Sequence, residues 1–322
     1  MNSIESLRLD FNTQKSELGK IDNDKISDNL IFVGSGDSYV AGLIAEYLTD
    51  HKCKCYSPSD LLNSELSKDR TYCFVSVTGK TKANISVAKR ASQVGCKTVA
   101  ITFNENSKLA QICDKIIHPG LKRAHTPTAG FGSFVANAVT CLQVSGITVP
   151  KKFEMWYQNA VKISQNVLDS LVLPANTVFV LGNNILYALA LYATLQMAEF
   201  FGTKAVAHKL EEFCHSPVFG IKKSHRVWLL GQNEQTVRQK LGRLGLKLSY
   251  IELYNQDIFS QLFESIFENG LYLYKLIVRI RGIIYRLEYL DIIVSPIRNI
   301  YISLRIYCKM FWICKLAVTC SI

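Results

Sequence analysis

The chain lacks a Cys-x-x-Cys pair, although it holds ten cysteines. Cys53, Cys55, Cys73, Cys96 and Cys214 include several set in apolar, strand-like runs. That pattern predicts buried reduced thiols in a cytoplasmic protein rather than disulfides or a metal site. No stretch approaches about 18 uncharged apolar residues, so no membrane span is expected. The opening "MNSIESLRLDFNTQKSELGK" is charged and has no apolar h-region, which predicts no secretory leader. Nor is there a Lys/Arg run with interleaved aromatics. The net charge of +11 therefore suits membrane contact or an anionic small substrate equally, and nucleic acid is disfavoured. What remains is a globular composition, 48% hydrophobic and 20% charged, over 322 residues. That length suffices for two domains.

Short β-type runs alternate with longer helical stretches. Strands are predicted at 29–34, around "KCKCYS", and at 71–77, 97–103 and 114–119. Helices are predicted over 38–50 and 80–95, the second with Ile85, Ala88, Ala91 and Val94 as its apolar stripe. After a connection at 144–153 the rhythm restarts with a helix over 152–170, a strand over 177–182 and a helix over 184–201. "KAVAHKL", 225–230 and 246–253 follow as strands. This β-α-β order implies parallel sheets with helices on both faces. The halves also resemble each other. "IFVGSGDSYVAGLIAEYL" (31–48) lies ungapped on "VFVLGNNILYALALYATL" (178–195), Phe32 on Phe179 and Ser38 on Ile185. A duplicated α/β unit is the simplest account.

Two strand-to-helix turns are rich in glycine and hydroxyls. "GSGDS" contains Gly36 and Ser38. "SVTGKT" contains Ser76, Thr78, Gly79 and Thr81. The second is not a nucleotide-binding P-loop, because that motif needs glycine where this chain has Phe74. Each turn alone reads as helix capping or as an anion site. Two of them at the carboxyl ends of parallel strands favour the anion site, where their donors could meet one phosphate.

In "QMAEFFGTKAVAHKLEEFCHSPVFG" (196–220), Glu199 stands among Met197, Ala198 and Phe200. Apolar surroundings would raise its pKa and suit it to proton transfer. A glutamate at a helix end that reaches solvent is the other reading. His215 equally reads as a surface histidine ahead of Pro217.

The paired loops resemble those of the sugar isomerase (SIS) domain family, as found in the isomerase domain of glucosamine-6-phosphate synthases and in archaeal phosphoglucose/phosphomannose isomerases. The second loop there has the form S-x-S-G-x-T, met here by Ser76, Thr78, Gly79 and Thr81. "EEFCHSP" is similar to the synthases' "ELKHGP", and Glu199 precedes His215 by the family's sixteen residues. The resemblance covers about residues 29–255. It implies an α/β fold of two tandem SIS subdomains, each a parallel flavodoxin-like sheet with helices on both faces. The first would span 1–150 with the phosphate loops. The second would span 151–322, with an atypical tail from about 270.

The resemblance implies a cofactor-free aldose–ketose isomerisation of a hexose or aminohexose 6-phosphate through an enediol. Glu199 would move the proton between C1 and C2, and His215 would open the ring. Gly36, Ser38, Ser76, Thr78, Gly79 and Thr81 would hold the phosphosugar. A homodimer sharing its active site is implied, with His215 donated by the partner. Alternatives within the same resemblance are a phosphosugar sensor without turnover and a glucosamine-6-phosphate deaminase. The chain departs from the synthases at Val77 and Lys80, and the sequence leads us to expect no glutamine-hydrolysing domain. Segment 124–134 falls where relatives contact the sugar. The tail, rich in Ile, Tyr, Arg and Cys, reads as a divergent C-terminus, a late frameshift or a membrane-surface segment.

Overall fold

A computed structural model describes residues 17–121, 131–167, 177–231, 235–245, 247–251, 257–268 and 270–271. The N-terminal start, most of segment 124–134 and nearly all of the tail from 270 lie outside these residues.

The first unit runs β1 (Leu30–Val33), α1 (Asp37–Leu48), β2 (Lys54–Tyr56), α2 (Pro58–Leu61), β3 (Thr71–Val75), α3 (Lys82–Val94), β4 (Lys97–Ile101), α4 (Lys108–Ile112) and β5 (Lys115–Ile117). Its five strands are parallel, in the order β2-β1-β3-β4-β5. Two helices follow, α5 (Phe131–Val144) and α6 (Phe153–Val167). The second unit runs β6 (Val178–Leu181), α7 (Ile185–Phe201), β7 (Ala205–His208), α8 (Leu210–His215), a 3-10 turn (Pro217–Gly220), β8 (Arg226–Leu230), α9 (Gln235–Arg243) and β9 (Lys247–Ile251). Its four strands are also parallel, in the order β7-β6-β8-β9. A helical segment over 258–268 returns to α6.

The strands read as continuous apolar runs because both faces are covered. Phe32 and Val75 point into one core, while Ile31, Val33 and Phe74 point into another, beneath α3. In the second sheet Val178 and Val180 share the first core, and Leu181, Val227 and Leu229 face Phe213 and Leu241. The shared core passes from one sheet to the other through α5, in which only Gln143 among fourteen residues escapes full burial. α6 is fastened to the 258–268 helix by Trp156, whose indole N–H donates to Ser260 at 2.8 Å. Asn159 donates to Glu264 at 2.7 Å in the same seam.

Two sequence expectations need correction. The buried stripe of α3 is Asn84, Val87, Ala88 and Ala91, and Val94 is an exposed residue in the last turn. The internal repeat is also one residue out of register. Gly34 N–H bonds Tyr56 C=O as Gly182 N–H bonds His208 C=O, and Thr71 N–H bonds Asn29 C=O as Arg226 N–H bonds Thr177 C=O. Strand β1 thus superposes on β6 with Leu30 at Val178, and Ser38 meets Leu186, not Ile185. Identity at Phe32 and Phe179 favours the wrong register, because each is a strand phenylalanine but they face opposite sides of their sheets.

Candidate functional site

Strand β1 lies between β2 and β3, so the order of strand addition reverses between β1 and β3 while the strands stay parallel. In an open parallel sheet the crevice outside that switch is where a ligand can enter between two helix starts. Val33 pairs with Phe74. The turns 34–37 and 76–81 therefore leave the same sheet edge side by side.

The first turn is shaped by close approach. A side chain on Gly34 would meet the Ser38 backbone at 2.7 Å. Gly36, at φ 58° and ψ −132°, occupies a conformation that favours glycine and caps α1 without a side chain. Ser38 is buried in the first turn of α1, and its hydroxyl makes no hydrogen bond with the described residues. In the second turn Ser76 is buried, and its hydroxyl lies 3.3 Å from that of Thr81. Thr81 sits at the N-cap of α3 yet makes no side-chain cap bond. Capping therefore does not account for these hydroxyls. The N–H groups of α3 ahead of Ile85 have no intrahelical acceptor, which is the usual basis of an anion site. Gly79 packs against the α4 start, where an added Cβ would collide with the Ser107 hydroxyl. Asn84 donates to Val75 C=O at 3.2 Å and ties α3 to the strand end. Thr78 and Lys80 are exposed at the tip.

Glu199 lies near the end of α7, which packs on α1. Met197 beside it is buried and Ala198 is exposed. Burial pushes the Glu199 carboxyl up to about 7. One helical turn earlier, the fully buried Gln196 extends its amide nitrogen to Glu199 Oε2 at 3.5 Å and to Asp37 Oδ2 at 3.4 Å. Asp37 opens α1 within the first turn. Burial, and after it the charge of Glu199, hold its carboxyl well above the usual range, while the Gln196 bond opposes them. Tyr192 completes the cluster, its hydroxyl raised by burial and by both acids. The fold thus brings the first hydroxyl turn and Glu199 together across about 160 residues of sequence. Asp37, Gln196 and Tyr192 were not singled out in the sequence. Gln196 had a signal, the three-residue spacing that puts it on the Glu199 face.

His215 ends α8. Its ring is exposed, with Nε2 3.3 Å from Glu211 Oε1. No hydrogen bond joins it to Glu199 among the described residues. Phe219, in the adjoining 3-10 turn, is 86% exposed.

Two loops at a switch point, a second unit of the same order and a desolvated glutamate between them match a known architecture. The chain has the sugar isomerase (SIS) fold. No family model matches it. It is similar to the C-terminal domain of a glucosamine-fructose-6-phosphate aminotransferase from Francisella tularensis, with a TM-score of 0.70 and 16% identity over 85% of this chain and 95% of that one. It is similar to a glucosamine-6-phosphate deaminase from Thermotoga maritima, with a TM-score of 0.68 and 19% identity over 85% and 95%. In sequence it is 23% identical to an isomerizing glutamine–fructose-6-phosphate aminotransferase of Campylobacter jejuni, over 62% of this chain and 37% of that protein. The chain spans less than half the length of the curated relatives it matches.

Proposed function

We propose that the chain is an aldose–ketose isomerase of a hexose or aminohexose 6-phosphate. The reading rests on one observation: a glutamate desolvated to a pKa of about 7 is tied through Gln196 to the helix start of a hydroxyl turn. The phosphate would sit between Ser38 and the Ser76–Thr81 loop, within the unit over 1–150. That anchors the far end of an open-chain sugar and presents C1 and C2 to Glu199, in the unit over 151–322. Glu199 removes the C2 proton of the aldose, the electrons form an enediolate, the C2 hydroxyl proton passes to O1, and the same carboxyl returns its proton to C1 as the C2 carbonyl forms. A base near neutrality is efficient at this, because it is half ionised yet still basic. Positioned donors can stabilise the enediol.

His215 opens the ring from a partner subunit. Its outward position beside the exposed Phe219 supports this assignment, since both suit a surface covered by a second copy.

The test follows deuterium lost to water from C2-deuterated glucose 6-phosphate and glucosamine 6-phosphate. Wild-type protein should exchange the label and form ketose. Glu199→Gln should slow exchange about 10²- to 10⁴-fold while still binding sugar phosphate. Unchanged exchange in that variant would remove Glu199 from the role. Binding without any exchange in the wild type would make the protein a sensor, and ammonia release from the amino sugar would make it a deaminase.

A further inference from the structure

Three buried polar atoms in the Asp37 cluster lack a hydrogen-bond partner among the described residues: Asp37 Oδ1, Gln196 Oε1 and the Tyr192 hydroxyl. Each is closed to solvent. Leaving such atoms unsatisfied is costly, so the arrangement asks for a donor that an ionised pair of acids does not supply. The amide group of Gln196 already faces Asp37 through Nε2 and Oδ2. The two orphaned oxygens, Oδ1 and Oε1, are the remaining corners of the same two planar groups. A proton on Oδ1 would close the ring, with Oδ1–H donating to Oε1 and Nε2–H donating to Oδ2.

We propose that Asp37 is held as a neutral carboxylic acid in a cyclic acid–amide pair with Gln196, which turns the second Gln196 N–H onto Glu199 and fixes that carboxylate. Asp37 is then a positioning residue. The proposal bears on the isomerase reading, since Glu199 is the base there, but the pair itself does not depend on turnover.

The surroundings support it. The groups acting on Asp37 among the described residues are Glu199 and Gln196 of α7, and Tyr192 is close enough for its own hydroxyl to feel both acids. α5, the other helix packed on α1, carries no Asp, Glu, Lys, Arg or His. Among the described residues no cation faces Asp37 to hold it ionised. Tyr192 is fixed by stacking on Phe134 at 3.9 Å and by an edge contact with Phe131, so the wall of the cluster is rigid. Two negative charges joined by one amide would repel in a dry site. One proton on Asp37 removes the repulsion and leaves Glu199 as the single group free to titrate.

Infrared spectroscopy of the full chain carrying ¹³C-carboxyl aspartate tests this at about pH 9, roughly two units above the Glu199 midpoint. The expected result is one protonated-carboxyl C=O band that shifts with the label and disappears in Asp37→Asn. Asparagine keeps both bonds to Gln196 as an amide–amide pair. The Glu199 carboxylate band should therefore titrate at an unchanged midpoint in that variant. An ionised Asp37 would instead give no such band in the wild type. The Glu199 midpoint would then fall by about one unit or more once the neighbouring charge is gone. Either result overturns the proposal. Neither readout uses activity, so a protein that shows the band but isomerises nothing refutes the isomerase reading and leaves the pair intact.

Discussion

The two α/β units share a backbone and divide their chemistry. At the start of α1, Gly36 adopts φ 58° and ψ −132°; at the start of α7, Asn184 adopts φ 51° and ψ −126°. The strands before them carry the same inter-strand bonds, and Gly34 and Gly182 both lie against the backbone four residues on. Yet the first turn continues into Asp37 and Ser38, and the second into Ile185 and Leu186. In the second unit the turn's polar side chain is used internally, Asn183 accepting from Leu210 N–H at 3.1 Å to fix the start of α8. One copy thus keeps an open polar turn. The other closes its own turn and contributes the far end of its helix, with Glu199, to the first copy's crevice. The same fold yields an open polar turn or a closed, supporting one according to a few side chains at one position.

The largest expected effect tests whether this division extends across subunits. If His215 serves the partner's site, Glu199→Gln and His215→Ala homodimers should each lose turnover by about 10²-fold or more. Equal mixing after unfolding and refolding together should restore about a quarter of wild-type turnover, since half the dimers are mixed and each has one intact site of two. No recovery would place His215 in its own chain's site or outside the chemistry.

Next in size are the hydroxyls of the first unit. Ser76→Ala with Thr78→Ala should weaken binding of a sugar phosphate by about 1–3 kcal/mol for the lost charge-assisted bonds. Calorimetric titration reads it. Unchanged affinity would reduce the 76–81 loop to a structural turn.

The third effect is on stability. The folded Glu199 holds its proton up to about pH 7, whereas an unperturbed glutamate releases it near 4.5. Between these values the folded state binds more protons than the unfolded state, so stability must fall as pH rises. The contribution is about 1–3 kcal/mol, by the usual conversion of a pKa shift. Glu268, raised to about 7 by burial and by Glu264, acts in the same direction. Denaturation midpoints of Glu199→Gln should therefore decline less steeply over pH 5–8 than those of the wild type. An equal slope would mean that Glu199 is not desolvated.

Much of this division was legible in the sequence. The strands announce themselves as short apolar runs between glycines and polar turns, and all nine found among the described residues lie where that pattern puts them. The two hydroxyl turns and Glu199 are visible for the same reason, as polar residues in apolar company. α5 is not. Being buried all round, "FGSFVANAVTCLQV" has no polar face to mark a helical period, so the helix that joins the two cores reads as featureless. The Asp37–Gln196–Glu199 link is equally hidden. It depends on α1 crossing α7, which no local pattern encodes. The repeat register is hidden for a related reason: Phe32 and Phe179 are identical letters on opposite faces of their sheets, and the hydrogen-bonding order that sets the register leaves no mark in the sequence.

The smallest effect sharpens the comparison at its origin. Positive φ with ψ near −130° suits glycine, because a Cβ crowds the backbone there, and another residue costs about 1–3 kcal/mol. Asn184 bears that cost without return from capping, since its side chain makes no cap bond. Asn184→Gly should relieve the strain, less about 0.4–1 kcal/mol for the added freedom of the unfolded chain, for a net gain between about 0 and about 2.6 kcal/mol. Gly36→Ala should do the reverse. Nothing lies within 4 Å of a Cβ built there, so its cost is purely conformational. Opposite shifts of the urea midpoint at an unchanged m-value are the expected result. If Asn184→Gly instead destabilises, the asparagine makes a contribution in the second unit that glycine cannot, and the two turns are alike in shape only.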